Sequence, residues 1–241
     1  DKFLQRYWEI LLGSYLLRAG LKLSHPSKAG GPDFRIEHNG RVIWIEAIAP
    51  GRGTGNNQVP DIVPNPGPAN KAPSDEILLR YTAAIDTKFK KYVDYSDGKI
   101  VKPSEVFIIA VNYYKYSPLY FTGRPTCPAL LQAVYPIGDL KFHEDGFQYI
   151  TFKDKIINAN QTEIDTALFL NLRYSGITAV IFTNQNEFYR SNYPTMPIIL
   201  VHNKLAANPL RPSPIKVDCE YWLEDIPNGY RICRSALSSQ L

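Results

Sequence analysis

The sequence predicts a mixed α/β fold in which helices pack against a central sheet. Three observations lead to this prediction: apolar residues at helical spacing near the N-terminus, a strand–turn–strand pattern at 34–48, and a continuous apolar run at 105–112. A further helix is predicted between the hairpin and the apolar run, so the order is helix, hairpin, helix and buried strand. A chain of 241 residues is long enough for one such domain to bury most of its apolar surface.

The first element is a helix predicted over residues 3–19, which Gly20 ends. Its apolar side chains recur three and four positions apart, the spacing that brings side chains to one face of a helix. These side chains are Phe3, Leu4, Tyr7, Trp8, Leu11, Leu12, Tyr15 and Leu16.

The second element is a hairpin of residues 34–38 and 42–48, joined by a turn that contains Asn39-Gly40. Asn-Gly between two apolar runs is the strongest short sequence signal for a tight hairpin. Side chains alternate along a strand, so the second strand has two distinct faces. One face carries Val42, Trp44, Glu46 and Ile48, and the other carries Ile43, Ile45 and Ala47.

A long loop follows the hairpin at residues 49–73 and is rich in proline, glycine and asparagine. A loop of this length in a compact domain is usually functional or mobile. Ser74 is a predicted N-cap for a second helix that runs to about Val93, with acidic residues in its first turn. The basic residues of this helix are Arg80, Lys88, Lys90 and Lys91.

The remaining chain adds strands to the predicted sheet. The run at 105–112 is typical of a buried strand, and residues 177–183 and 197–202 are predicted strands as well. Residues 167–171 fit either a short strand or part of a helix. We therefore predict a core over residues 1–205, with an aromatic insertion around 113–160, and a C-terminal extension over 206–241 that packs on the core.

Three cysteines, Cys127, Cys219 and Cys233, are far apart in the chain and form no Cys-x-x-Cys pair. This spacing argues against a zinc site and against a disulfide framework, and free thiols are typical of a cytoplasmic protein. The sequence contains neither a signal peptide nor an apolar stretch of membrane-spanning length, so no membrane partner is expected. The net charge of +4 is a mild bias that does not by itself indicate nucleic acid.

Two carboxylates are expected to meet at one edge of the hairpin. Asp33 precedes the first strand, and Glu46 lies near the end of the second. Neighbouring carboxylates repel each other, and a divalent cation removes the repulsion. Mg²⁺ prefers one or two carboxylates together with water and phosphate oxygens, so the pair predicts a magnesium site.

The pattern Pro32-Asp33, hairpin and Glu46, preceded by a helix that carries Trp8-Glu9, resembles the PD-(D/E)xK nuclease superfamily over residues 3–112. The resemblance implies a restriction-endonuclease-like mixed sheet flanked by helices, and hydrolysis of DNA or RNA phosphodiesters with Mg²⁺ or Mn²⁺. It also implies that Asp33 and Glu46 hold the metal, with Glu9 assisting through water. The nucleic acid would be held through its phosphates by lysine and arginine.

The chain departs from the superfamily pattern at Ile48, where the motif has its catalytic lysine. That lysine helps to orient the attacking water and to stabilise the charge on the phosphate. The second helix offers two replacements, Lys88 and Arg80, which are eight residues apart near one helical face. Lys91 extends this face, and Lys71 in the loop is a weaker alternative.

Other interpretations stay open for each of these residues. Asp33 also fits a turn, and Glu46 also fits a solvated strand end. Glu9 and the basic residues of the second helix also fit solvated surfaces. The whole protein has two alternatives to an active nuclease. One is a degenerate member that binds nucleic acid or a protein without cleavage, and the other is a metal-free interaction protein that uses the tyrosine-rich segment 113–121.

Overall fold

The protein is described by a computed structural model over residues 2–24, 30–61, 73–113, 129–142, 148–183, 198–227 and 229–236. Within these ranges it contains helices α1 (Lys2–Arg18), α2 (Ser74–Asp97) and α3 (Ala129–Val134). The strands are β1 (Leu23–Ser24), β2 (Phe34–His38), β3 (Arg41–Ile48), β4 (Val106–Asn112), β5 (Ile137–Phe142), β6 (Gln148–Phe152), β7 (Lys155–Ile157), β8 (Glu163–Asp165), β9 (Ala179–Thr183), β10 (Ile199–His202), β11 (Cys219–Ile226) and β12 (Gly229–Ala236).

Eight of these strands form one mixed sheet in the order β1-β2-β3-β4-β9-β10-β11-β12. The pairs β3–β4, β4–β9 and β10–β11 are parallel, and the other neighbours in the sheet are antiparallel. Strand β4 lies inside the sheet and is buried at every residue, as its continuous apolar run predicted. The predicted mixed α/β fold with a helix-flanked sheet is confirmed.

The β2–β3 hairpin forms as predicted because of its turn. Asn39 and Gly40 both have positive φ, at 49° and 73°, which is the backbone of the tight turns that join antiparallel strands. The turn sets the register, in which His38 pairs with Arg41 at the turn and Phe34 pairs with Ile45 at the far end. The side chains of β3 therefore alternate between the two sides of the sheet.

Each side of the sheet is covered by a helix and has its own apolar core. Ile43, Ile45 and Ala47 of β3 pack in the core that contains α1. Trp44 packs in the core that contains α2, with Val42 and Ile48 at its edge. The alternation predicted for β3 is confirmed, and it places Glu46 on the α2 side of the sheet.

Helix α1 is fixed to the centre of the sheet by Trp8. The Trp8 indole is fully buried, and its Nε1 donates a hydrogen bond to the carbonyl of Ala110 in β4 at 3.0 Å. This contact satisfies the one polar group of a large apolar side chain. It also brings the rest of α1, including Gln5 and Glu9, close to the end of β3.

The second helix differs from its prediction at both ends. Its first helical residue is Ser74, and the N-cap is Pro73, which makes no side-chain hydrogen bond, so the prediction of a Ser74 cap is wrong. Proline favours helix starts because its φ is already near the helical value. The helix also continues past Val93 to Asp97, with Gly98 as its C-cap.

Outside the main sheet, the described part of the predicted insertion contains α3, the two-stranded sheet β5–β6 and strand β7, which pairs with β8 just beyond residue 160. Residues 167–171 are neither strand nor α-helix, because Leu168–Leu170 form a 3₁₀ turn. In the C-terminal segment, β11 and β12 continue the main sheet beyond β10. In the described parts of the chain, no helix combines the length and the apolar character needed to cross a membrane.

Candidate active site

Glu46 is the most deeply buried carboxylate of the predicted site, with 2% of its surface exposed. A buried carboxylate is unfavourable unless charges or hydrogen bonds compensate it. Two ammonium groups do so at the same oxygen: Lys88 Nζ lies 2.7 Å from Oε1, and Lys91 Nζ lies 2.9 Å from it. The Tyr95 hydroxyl donates to Oε2 at 3.3 Å.

One face of α2 supplies all three partners of Glu46. Lys88, Lys91 and Tyr95 are spaced by three and four residues, so they stack along the side of the helix that faces β3. Burial would lower the pKa of Lys91, but its hydrogen bond to Glu46 and the charge of Glu46 outweigh burial, so the pKa is raised. Burial and the charge of Glu46 raise the pKa of Tyr95 to about 12. At neutral pH both groups therefore keep their protons and donate to Glu46.

Asp33 lies opposite Glu46 across the hairpin. The last ladder pair is Phe34 with Ile45, and the next position on each strand is Asp33 and Glu46. The Ala47 backbone N–H donates to Asp33 Oδ2 at 2.7 Å, which holds the carboxylate at the end of β3. Burial, followed by the charge of Glu46, raises the pKa of Asp33 to about 6, although the Ala47 hydrogen bond and Lys88 act in the other direction. The two carboxylates therefore repel each other in the absence of a metal.

The raised pKa of Asp33 predicts a pH-dependent stability. A carboxylate whose pKa is higher in the folded state stabilises the fold below the unfolded pKa near 4, and this contribution is lost as the pH rises through about 6. We expect Asp33→Asn to remove this loss, so that in EDTA at pH 7.5 the variant is more stable than the wild type by about 1–2 kcal/mol after allowance for solvent screening.

Urea unfolding at pH 4 and pH 7.5 measures this difference. Glu37→Gln is the matched control, because Glu37 is an exposed carboxylate on the same hairpin, paired with Arg35. The control is expected to keep the pH profile of the wild type. An Asp33→Asn variant whose stability falls between pH 4 and pH 7.5 as steeply as that of the wild type would contradict the assignment of the repulsion to Asp33.

Glu9 reaches the same end of the sheet from α1. Its Oε1 accepts from Gln5 Nε2 at 2.9 Å, and its Oε2 is paired with Arg6 at 2.5 Å. The charge of Glu9 contributes to the raised pKa of Asp33, after burial and Glu46. Glu9 is thus next to the pair, and its own carboxylate oxygens are already bonded within α1.

Gln5 holds α1 to the end of β3, and the sequence interpretation missed it. Its Nε2 donates to the Ala47 carbonyl at 3.1 Å, and its Oε1 accepts from the Ala49 backbone N–H at 2.9 Å. Ala47 also binds Asp33, so Gln5 and Asp33 fix the same short stretch of backbone. The sequence position of Gln5 could have indicated this role, because Gln5 lies one helical turn before Glu9 on the same face of α1.

Arg80 does not join the carboxylates. Its Nε donates to the Gly51 carbonyl at 2.9 Å, so it ties the loop after β3 to α2. Gly53 has a φ of +87°, and a Cβ at that position would lie 3.3 Å from Arg80 side-chain atoms. Arg80 precedes Lys88 by eight residues, a rise of about 12 Å along a helix. Of the two replacements for the motif lysine, Lys88 is the one that contacts Glu46; Lys71 lies outside the described residues.

The carboxylate pair matches the donors that Mg²⁺ uses, namely one or two carboxylates with the remaining positions taken by water and phosphate. In the residues that the structure describes, no group of three or more histidine, cysteine, aspartate or glutamate side chains is arranged to hold a metal ion. Any ion here would therefore rest on Asp33 and Glu46 alone. An open cleft of about 880 Å³ lies beside α1, and Asp33 lines it together with Arg6, Glu9 and Arg18 among others.

Ile48 occupies the motif-lysine position on the same face of β3 as Glu46. It is partly buried and packs against the core on the α2 side. Strand β3 therefore has an apolar side chain where the motif has a lysine, and the two lysines that contact Glu46 come from α2 instead.

No family model matches the chain, and comparisons with curated proteins and with solved structures likewise found no match.

Proposed function

We propose that the protein is a metal-dependent nuclease with a restriction-endonuclease-like core, in which Lys88 of α2 replaces the lysine that PD-(D/E)xK proteins carry on the strand. One observation carries the proposal: Lys88 Nζ lies 2.7 Å from a buried Glu46 that stands opposite Asp33 at the end of a hairpin. Two carboxylates at the end of a strand can hold Mg²⁺ for phosphodiester hydrolysis, and a lysine beside them can stabilise the charge that develops on the phosphate.

Asp33 and Glu46 would hold the metal, with Mg²⁺ or Mn²⁺ as the candidates. A bound ion of this kind makes a water molecule more acidic and offsets negative charge on a phosphate. Asp33 suits this role because burial, followed by the charge of Glu46, raises its pKa, and a cation bound by both carboxylates would offset their repulsion. Glu46 suits it because Ile43, Trp44 and Ile45 fix β3 in two cores and so fix the direction of the carboxylate.

The other residues of the site position and compensate charge. Lys88 is fixed by burial, so its ammonium needs little reorganisation to meet the charge that develops on a phosphate. Tyr95 orients the second oxygen of Glu46. Gln5 and the Ala47 backbone N–H hold the end of β3 and Asp33 in place.

A nucleic acid is the proposed substrate because basic side chains line the cleft beside Asp33. Arg6 and Arg18 lie along this cleft, and phosphate groups are bound chiefly by such cations. The strength of binding should fall steeply with salt concentration, because each phosphate contact releases a counterion.

Cleavage of plasmid and of single-stranded circular DNA tests the proposal. With Mg²⁺ or Mn²⁺ we expect nicking that EDTA stops, and Glu46→Gln is expected to reduce the rate by about 10³-fold or more, as loss of a metal ligand at a catalytic centre does. Glu37→Gln, the exposed carboxylate on the same hairpin, is the control and should keep the wild-type rate. Equal nicking by the wild type and Glu46→Gln, or none by the wild type with either metal on DNA or RNA, would overturn the proposal.

A second candidate function is a protein that binds nucleic acid without cleaving it. The observation that favours it is the set of bonds to Glu46, because Lys88, Lys91 and Tyr95 already compensate its two oxygens. Salt-dependent DNA binding by a chain that neither binds Mn²⁺ nor cleaves would identify this function.

A further inference from the structure

The site has one more lysine than a single-lysine motif supplies. Lys88 and Lys91 both bind Oε1 of Glu46, so one carboxylate oxygen compensates two ammonium groups. Lys88, Lys91 and Glu46 together carry one excess positive charge, and an ionised Asp33 balances it. The cluster is therefore close to neutral before any metal is present.

The two lysines differ in how freely they can leave Glu46. The side chain of Lys88 is 9% exposed and is surrounded by protein. The side chain of Lys91 is 49% exposed, so water solvates its ammonium as soon as it moves away. An ion pair with one exposed partner, such as Lys91–Glu46, is weak, whereas a buried ion pair such as Lys88–Glu46 is costly to separate. Lys91 is thus the cation that a competitor displaces first.

A divalent cation at the carboxylates changes the balance of charge. Asp33 and Glu46 together compensate a divalent ion, and this leaves the ammonium groups of Lys88 and Lys91 without a carboxylate. A metal and a nearby ammonium repel each other, so the exposed lysine moves outwards. A phosphodiester brings one negative charge, and attack by hydroxide adds another, so two ammonium groups match the charge of the reacting phosphate.

We propose that Lys91 is a displaceable counter-cation that holds Glu46 before the metal binds and then moves to a non-bridging oxygen of the substrate phosphate. This inference rests on the proposed function: its first step needs the proposed metal site at Asp33 and Glu46, and its second step needs nuclease activity. The first step, the competition between Lys91 and a metal for Glu46, concerns this chain's own side chains and has its own measurement.

Lys91→Met tests the first step through metal affinity. Methionine keeps most of the length of the side chain and removes the charge, so we expect Mn²⁺ to bind roughly five- to tenfold more tightly, as measured by isothermal titration calorimetry. Lys90→Met is the matched control, because Lys90 is the neighbouring lysine on α2, is 68% exposed and is paired with Asp86 instead. The control is expected to bind Mn²⁺ as the wild type does.

Lysine acetylation followed by mass spectrometry gives a second measurement of the same step. Saturating Mn²⁺ is expected to increase acetylation of Lys91, which the metal releases from Glu46, and to leave Lys90 unchanged. Unchanged or weaker Mn²⁺ affinity in Lys91→Met, or acetylation of Lys91 that Mn²⁺ does not increase, would overturn the displacement.

The second step is tested by cleavage at saturating Mn²⁺. Lys91→Met is expected to cleave about tenfold more slowly than the wild type, while Lys90→Met stays within about twofold. Tighter Mn²⁺ binding without cleavage by any variant would support the displacement and refute the nuclease. Cleavage by Lys91→Met at the wild-type rate would support the nuclease and refute the contact of Lys91 with phosphate. Absence of Mn²⁺ binding in both proteins would refute both proposals.

Discussion

Lys88→Met is expected to reduce metal-dependent nicking by about 10²–10³-fold, because the variant lacks the buried cation that stabilises charge on the phosphate. It is also expected to lower the free energy of unfolding by about 2–4 kcal/mol, since removal of one partner leaves a buried charge with less compensation. Lys91 remains on Glu46 and limits this loss. Nicking at saturating Mn²⁺ and urea unfolding measure the two effects.

Combination with Glu46→Gln separates the effect on stability from the effect on activity. The double variant has neither buried charge, so its stability should return towards that of the wild type while its nicking stays at or below the level of Lys88→Met. Lys90→Met again serves as the control, since it removes an exposed lysine from the same helix. Wild-type stability and wild-type nicking in Lys88→Met would show that the contact with Glu46 has no consequence.

The β2–β3 hairpin could be predicted from sequence because its signals are local. Asn39-Gly40 sets the turn, and the alternation of β3 then decides which side chains face each core. The position of Asp33 opposite Glu46 follows from the same register. Every step of this prediction depends on residues fewer than fifteen positions apart, and no contact with a distant part of the chain is needed.

The sequence could not decide which cation replaces the motif lysine beside Glu46. Helical spacing brings Arg80 and Lys88 near one face of α2, but the docking of α2 on the sheet decides which of them reaches β3. That docking depends on packing of Tyr81, Ile85 and Phe89 against strands far away in the sequence. The same dependence explains why Tyr95 and Gln5 were missed: their helical spacing places them on the right faces, but only the docking of the helices on the sheet brings them to the end of β3.

The short strands could not be predicted for a related reason. Strands β7 and β8 have three residues each, which is too few to show an alternating pattern. The β11–β12 pair is different, because its strands have eight residues each and the sequence has Asn228-Gly229 where the second strand begins. Its signal resembles that of the first hairpin, so these two strands were within reach of sequence reasoning.

Transfer of the lysine back to the strand should restore activity to the Lys88→Met variant. Residue 48 lies on the same face of β3 as Glu46, and two residues along a strand span about 7 Å, which a lysine side chain covers. Ile48 is only partly buried, so a lysine there is expected to cost about 1 kcal/mol and to extend its ammonium towards the carboxylates. We expect Ile48→Lys with Lys88→Met to recover nicking by about tenfold or more over Lys88→Met alone.

Ile48→Met with Lys88→Met is the control for this rescue, because it makes a similar change of shape at residue 48 without adding charge. Its nicking should stay at the level of Lys88→Met. Rescue by lysine alone would show that the site needs a cation beside Glu46, whichever element carries it. Equal nicking by the two double variants, at any level, would mean that Lys88 has a structural role and that the charge at this position does not act on the phosphate.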